Sequence, residues 1–128
     1  MRPNKATDSE VIDLKKEAAF NELVRKVRKD TFGKGPERIH TTFVENMAIT
    51  KMQGNFTPTE KFIAQTPEGK QMVHSARTHM IKKLYENHVP DGMEELCGSK
   101  LVHLFTDVKV EEDVAISVFI FENSIEQG

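Results

Sequence analysis

Arg77 is the residue whose type and position point most directly to chemistry, because it lies inside the apolar stripe of a predicted helix from about Pro67 to His88. The stripe consists of apolar residues at three- and four-residue spacing: Met72, Val73, Ala76, Met80, Ile81 and Leu84. Burying an unpaired guanidinium is very costly, so Arg77 requires a negative partner or several carbonyl partners. Two interpretations stay open. One is a structural ion pair, with Asp107 or Glu37, or a head group that reaches water. The other is a planar fork for a carboxylate, bicarbonate or phosphate ligand.

Three further residues are candidates for the same anion site: Lys34, Arg38 and His74. His74 precedes Arg77 by three positions, which puts both residues on one face of the helix. The segment around Lys34 reads Gly-Lys-Gly-Pro, but it lacks the Walker spacing and the Lys-Ser/Thr that should follow. It also follows a predicted helix, whereas glycine loops that cradle anions precede one. The loop itself is therefore interpreted as a helix stop, while Lys34 and Arg38 can still project toward a shared pocket.

Patterns for catalysis or metal binding are not legible in the sequence. The five histidines form no HExxH motif and no close pair with metal-ligand spacing: His40, His74, His79, His88 and His103. Cys97 lies just before Gly98 at a predicted helix end, where the helix dipole disfavours a thiolate. No serine lies in a nucleophile elbow. We therefore expect no catalytic residue, no metal and no cofactor, and an enzyme is the least favoured class of protein.

Composition argues against several functions. The 128 residues fit one domain, residues 1–128, and the formal net charge of −2 gives no positive field to attract nucleic acid. A basic cluster is interpreted as a solvated helix end, since no aromatic residues are interleaved with it: Arg25, Lys26, Arg28 and Lys29. No stretch approaches the ~20 apolar residues of a membrane-spanning helix, and the first residues are too polar for a signal peptide. With Cys97 as its one cysteine, the chain is expected to be cytoplasmic, or peripheral to the membrane through a partner.

The periodicity of the chain predicts seven elements in the order α-β-β-α-α-β-β. A long helix from about Asp8 to Phe32 follows a frayed start over residues 1–8, and its apolar stripe includes Leu14, Leu23 and Val24. Alternating segments then predict two hairpins, built from Arg38–Val44 with Met47–Gln53 and from Leu101–Val108 with Asp113–Phe121. A capping box at Thr57–Glu60, a second helix start at Thr66–Glu68 and a helical turn at Gly92–Cys97 lie between the hairpins. The order predicts an α+β fold, a two-layer sandwich with a four-stranded antiparallel sheet covered by helices on one face.

The last predicted strand is apolar on both of its faces. One face carries Val114, Ile116, Val118 and Ile120, and the other carries Ala115, Phe119 and Phe121. A strand with one face in water should alternate apolar with polar residues, so both faces are expected to be covered. We predict a homodimer that buries the second face or the first helix. The alternative is that the long first helix crosses over and covers that face within one chain.

The order of these motifs resembles that of a known family. The segment Gly33-Lys34-Gly35-Pro36-Glu37-Arg38, a hairpin, Thr57-Pro58-Thr59-Glu60, Thr66-Pro67-Glu68-Gly69, Arg77, Thr106-Asp107 and the strand Val114 to Phe121 together are similar to the MpsC-like domain. The resemblance covers about Glu10 to Phe121, which is nearly the whole chain.

The resemblance implies association with a sodium-translocating system that generates membrane potential and is linked with inorganic-carbon uptake. A small chain of this family would be an accessory or regulatory subunit, and its membrane partners would carry out the transport. The leading hypothesis is a homodimeric accessory protein that binds a small anion such as bicarbonate near Arg77. The alternative is a purely structural interaction module without a ligand.

Overall fold

The computed structural model describes residues 8–125, with side-chain surroundings from residue 14 onward. The predicted frayed start lies outside these residues, apart from residue 8, which begins the first helix. The described elements are α1 (Asp8–Phe32), β1 (Arg38–Val44), β2 (Met47–Gln53), α2 (Pro58–Ile63), α3 (Pro67–Asn87), α4 (Met93–Cys97), β3 (Leu101–Lys109), a 3-10 turn (Val110–Glu112) and β4 (Val114–Phe121). The predicted order of elements is confirmed, and the bounds agree with the prediction to within about a residue.

The four strands form one antiparallel sheet in the order β1-β2-β4-β3, which confirms the predicted fold class. The first hairpin turns at Glu45, which has a φ of 57°, and Asn46. The side-chain amide of Asn46 donates to the carbonyl of Phe121 at 2.9 Å and so joins the turn to the end of β4. The second hairpin turns through Asp113, whose φ is 53°. Aspartate tolerates this left-handed conformation better than most residues.

One face of the sheet, here called the inner face, packs against α1 and α3 and forms the hydrophobic core. The ring of Phe20 on α1 meets the rings of Phe119 and Phe43 edge-on, with centroid distances of 5.1 and 5.6 Å. Tyr85 on α3 contacts Phe119 from the other side at 5.6 Å. Because α1 packs on the inner face, it does not cross over to cover the opposite one.

The opposite face, here called the outer face, is partly exposed. Its apolar residues include Phe105, with 59% of its surface accessible, Val44 with 41% and Ile116 with 38%. The two apolar faces of β4 therefore have different surroundings. The inner face is part of the hydrophobic core, and the outer face leaves apolar side chains partly exposed to water.

The predicted apolar stripes are wrong in part. Met72, Met80 and Leu84 of α3 are 63%, 46% and 39% exposed, and Leu14 of α1 is 62% exposed. The buried face of α3 consists instead of Gly69, Val73, Arg77, Thr78, Ile81 and Tyr85. The helix α3 packs along β3, and the face turned to the sheet includes polar and small residues. The spacing of hydrophobic residues alone therefore does not identify this face.

Gly69 permits the close approach of α2 and α3. A Cβ atom at this position would lie 1.6 Å from the carbonyl oxygen of Ile63, which is fixed backbone at the end of α2. The amide of Gly69 also donates to Oγ1 of Thr66 at 2.9 Å, which caps the start of α3. Only a residue without a side chain fits both requirements.

We expect the substitution Gly69→Ala to lower the free energy of unfolding by about 3 kcal/mol, because the new methyl group forces α2 and α3 apart. Urea unfolding followed by circular dichroism measures the loss. Gln71→Ala, at an exposed position two residues further along the same helix, is the matched control and should change stability by less than about 0.5 kcal/mol. An unchanged midpoint for Gly69→Ala would contradict the close approach.

Candidate functional site

Arg77 forms a two-pronged ion pair with Glu60 inside the protein. Its Nε donates to Oε2 of Glu60 at 2.7 Å, and its Nη2 donates to Oε1 at 2.6 Å. Nη2 also donates to the backbone carbonyl of Asn55 at 2.8 Å. Only 3% of the surface of Arg77 is accessible, so the guanidinium is buried and does not reach water, which was one of the alternatives left open by the sequence. The planar fork meets a carboxylate of the same chain.

The capping box at the start of α2 positions Glu60. The hydroxyl of Thr57 accepts from the amide of Glu60 at 3.2 Å, and Oε1 of Glu60 accepts from the amide of Thr57 at 2.9 Å. Pro58 occupies the first turn of the helix, where its missing N–H is not needed. One carboxylate therefore both caps a helix and neutralises Arg77. The sequence showed the capping box but not this second role of Glu60.

Two aromatic rings enclose the guanidinium of Arg77. Its central carbon lies 3.8 Å from the ring centroid of Phe32 and 5.3 Å from that of Phe56. Such cation–π contacts strengthen when the cation is removed from water. Burial alone would raise the pKa of Glu60, but hydrogen bonds from Arg77 and Thr57 hold that pKa below its ordinary value of 4.5. Glu60 is thus ionised at neutral pH.

The two expected partners of Arg77 bond elsewhere, so that pairing was wrong. Oδ1 of Asp107 lies 2.7 Å from Nε2 of His74, and the hydrogen bond from His74 lowers the pKa of Asp107. Glu37 pairs with Lys34 at 3.4 Å. Asp107 extends from the exposed outer face of β3, whereas the guanidinium of Arg77 points inward, toward the capping box.

The four anion-binding candidates do not form one cluster. Lys34 donates to the carbonyl of Gly54 as well as to Glu37. Arg38 is exposed at the start of β1, and His74 engages Asp107 at the surface. Arg77 alone is buried. A shared pocket of Lys34, Arg38, His74 and Arg77 is thus absent from the part of the chain that the structure describes, and their anion-binding role stays a prediction.

Arg28 is a second buried arginine, which the sequence analysis placed wrongly among solvated residues. It is 4% exposed, and its Nη2 donates to the hydroxyl of Ser117 at 3.2 Å. Burial lowers its pKa to about 10. The signal was present in the sequence: Phe20, Val24 and Arg28 follow one another at four-residue spacing, on one face of α1.

Ser117 belongs to a row of hydroxyl groups that crosses the inner face of the sheet. Thr41, Thr50, Ser117 and Thr106 stand opposite one another on the four strands, and all but Thr106 are fully buried. Oγ1 of Thr41 lies 2.8 Å from that of Thr50, and Oγ of Ser117 lies 2.8 Å from Oγ1 of Thr106. Arg28 contacts this row from α1. The alternating strand pattern predicted which residues share a face, but not that one row would be polar.

A small cavity lies between the two arginines. Its volume is about 10 Å³, and its polar lining comes from Arg28, Asn55, Arg77, Thr78, Thr106 and Asp107. Two buried polar atoms in this region lack a hydrogen-bond partner: Nη1 of Arg77 and Oδ1 of Asn55. The cavity has room for about one water molecule.

Elsewhere the described residues offer little reactive chemistry. Cys97 is buried, and burial raises its pKa to about 11, so its thiol is protonated at neutral pH. Within residues 8–125, no group of three or more His, Cys, Asp or Glu side chains is arranged to hold a metal ion.

Comparison with known proteins identifies relatives of this sequence. Residues 13–123 match the family model described as "Na+-translocating membrane potential-generating system (MpsC)". Uncharacterized protein YrhF of Bacillus subtilis (strain 168) is 58% identical over 113 residues, which cover 88% of this chain and 93% of that protein. No solved structure matches the chain significantly.

We expect Glu60→Gln to destabilise the protein by about 3 kcal/mol, because it keeps an oxygen for the helix cap but leaves the charge of Arg77 buried and unpaired. The double variant Glu60→Gln/Arg77→Met should recover much of this loss, since a buried pair can be replaced by apolar groups at little cost. Urea unfolding of the single and double variants measures both effects. Glu68→Gln, an exposed acid in the first turn of α3, is the control. Additive losses in the double variant would show that the pair is not coupled.

Proposed function

This chain belongs to the MpsC family, and from that membership we propose that it is an accessory subunit, without catalysis of its own, of a sodium-linked system that generates membrane potential. The family description supplies the association with the membrane system. The role as an accessory subunit, peripheral to the membrane, is our inference. A link of that system with inorganic-carbon uptake is part of the same proposal.

The outer face of the sheet is the observation that carries this proposal. No helix in the described part of the chain is long and apolar enough to cross a membrane. We propose that the subunit acts on the membrane system through protein contacts. The outer face offers the surface, since it combines exposed hydrocarbon with a rigid sheet that needs no reordering on binding.

We infer that a second copy of this chain covers the outer face. Strand pairing places its side chains in rows across β2, β4 and β3. One row holds Ile49, Val118 and Phe105, and the next holds Lys51, Ile116 and Asp107. The second row is therefore basic at one end, apolar in the centre and acidic at the other end.

This arrangement is complementary to itself. A two-fold axis parallel to β4 would exchange the β2 side of one sheet with the β3 side of the other. Lys51 of each copy would then oppose Asp107 of the other, whose carboxylate would turn from His74 to Lys51, and Ile49 would oppose Phe105. The three strands that face each other, spaced by about 4.8 Å and with about seven paired residues of about 3.3 Å each, give each face roughly 330 Å² before side-chain relief is counted. Two such faces total roughly 700 Å², which is the range of weak or transient interfaces below ~1,200 Å².

The geometry at Arg77 bears on the expected bicarbonate site. The guanidinium fork that would hold such a ligand is occupied by Glu60, which favours a structural role for this side chain. Bicarbonate binding there stays a prediction, and the accessory role proposed above does not require it. An enzymatic function stays the least favoured hypothesis, since the thiol of Cys97 is buried and protonated at neutral pH and is therefore a poor nucleophile.

The charge pattern of the outer face gives a specific test of the dimer. We expect wild-type protein to have a dimer mass by light scattering at about 50 µM. Lys51→Glu and Asp107→Lys should each produce a monomer, because each places like charges in contact across the axis. The double variant should recover the dimer, since it restores opposite charges in exchanged positions. A monomeric wild type, or no recovery in the double variant, would contradict this interface. Lys82→Glu, on the exposed side of α3, is the control for charge change.

The accessory role is tested in cells. In a host from which the gene for this protein is deleted, we expect the sodium-dependent membrane potential, read with a potential-sensitive dye, to decrease. Wild-type protein should restore it, whereas Ile116→Lys, which puts a charge in the centre of the outer face, should not. Met72→Lys, at an exposed apolar position on α3, is the matched control and should restore it fully. An unchanged potential after deletion would argue against the proposed function.

A further inference from the structure

We propose that the cavity between Arg28 and Arg77 binds one monovalent anion of halide size, with chloride as the expected occupant. This site lies inside the protein and is separate from the outer face. It does not depend on the proposed accessory function, so either proposal can fail while the other stands.

The two guanidinium groups at the cavity are not equally paired. Arg28 and Arg77 bring two positive charges, and the carboxylate of Glu60 is engaged by Arg77. Two further carboxylates lie nearby but bond to other groups: Asp107 to His74, and Asp113 to the amides of Asn55 and Phe56. Within the described residues, Arg28 has no ion pair; its one side-chain hydrogen bond is to a neutral hydroxyl, that of Ser117. Tyr85 lies close enough to Arg28 to influence it, but burial raises the pKa of Tyr85, so the phenol stays neutral. The buried charge of Arg28 is therefore left without a direct ion pair among the described residues, which is a costly arrangement.

Hydrogen-bond donors for an anion are already in place. Nη1 of Arg77 is buried and has no partner. Arg28 lines the same cavity and uses one of its five N–H groups on Ser117. Asp107 also lines the cavity, but its side chain is 79% exposed and its Oδ1 accepts from His74. The part of the cavity lined by Arg28 and Arg77 is therefore positively charged and offers unused N–H donors.

The size of the cavity selects the class of anion. A volume of about 10 Å³ holds one particle about as large as a water molecule. A chloride ion is a single atom with a radius of about 1.8 Å, against about 1.4 Å for water, so it fits if the side chains of the lining give by a few tenths of an ångström. Bicarbonate has four non-hydrogen atoms and requires much larger displacements. The competing occupant is water, which could accept from Arg77 and donate to Oδ1 of Asn55, the other unpartnered atom. Water satisfies those two atoms but leaves the charge of Arg28 unbalanced.

Bromide identifies the occupant directly. We expect crystals of wild-type protein grown with sodium bromide to show an anomalous peak between the guanidinium groups of Arg28 and Arg77. A non-anomalous water at that position, or no peak there, would overturn the proposal. This measurement needs no variant and so does not depend on how a substitution affects folding.

Thermal unfolding tests the same site in solution. At constant ionic strength, sodium chloride should raise the Tm relative to sodium gluconate, whose anion is too large to enter. A Kd of about 10 mM would give a rise of about 4 °C at 100 mM chloride. Sodium bicarbonate should give no saturable rise. A rise with bicarbonate and none with chloride would overturn the assignment of the anion class.

Two variants locate the effect. Arg28→Met removes the unbalanced charge and keeps an apolar side chain of similar length, so we expect a folded protein whose Tm no longer depends on chloride. Lys26→Met removes an exposed charge from the same helix and should keep the full chloride effect. A chloride effect that persists in Arg28→Met would place the anion elsewhere and overturn the proposal.

Discussion

The central constraint on this fold is the burial of the Arg77 guanidinium. A charged group at 3% exposure requires a partner for its charge, and the partners of Arg77 come from separate segments of the chain. Glu60 comes from α2, the carbonyl of Asn55 from the segment after β2, and the ring of Phe32 from the end of α1. One side chain on α3 therefore holds the ends of three other segments. These segments are therefore joined by a charged group as well as by the packing of Phe32 and Phe56.

The row of hydroxyl groups across the inner face extends this polar framework through the core. A shift of any strand by one residue would move Thr41, Thr50, Ser117 or Thr106 out of the row and leave a polar group against hydrocarbon. The carboxamide of Asn21 accepts from Thr41 at 2.6 Å and ties the row to α1 at one end. Arg28 ties it to the same helix at Ser117. Fixed register of this kind also fixes the rows on the outer face, because successive residues alternate between faces.

The sequence was sufficient for the fold and insufficient for the site, and the difference has a physical cause. Alternation, capping residues and glycine stops are local, so the elements and the capping box at Thr57–Glu60 were predicted to within about a residue. That Arg77 is buried also followed from its helical position. Its partner did not follow, because Glu60 lies seventeen positions away and the choice among Glu37, Glu60 and Asp107 depends on how α2 docks on α3. Arg28 was missed because its basic neighbours suggested a solvated surface, although its spacing from Phe20 and Val24 placed it on the buried face.

The two faces of the sheet differ in how far a bound molecule would disturb the fold. This difference favours the outer face as the surface for the proposed partner. On the inner face, Arg77 is held by two hydrogen bonds to a carboxylate that also caps a helix, so a ligand that displaced Glu60 would have to break the start of α2. Reversible binding of a sizeable ligand at that position would therefore oppose the stability of the fold. The outer face has no such coupling, since its side chains project from a sheet whose register is set from the other side. Covering that face would remove hydrocarbon from water without disturbing a buried hydrogen bond, and the hydrophobic effect therefore favours the proposed association there. The interior is held in place by its buried hydrogen bonds, and the proposed contact with a second copy uses the surface that the helices leave open.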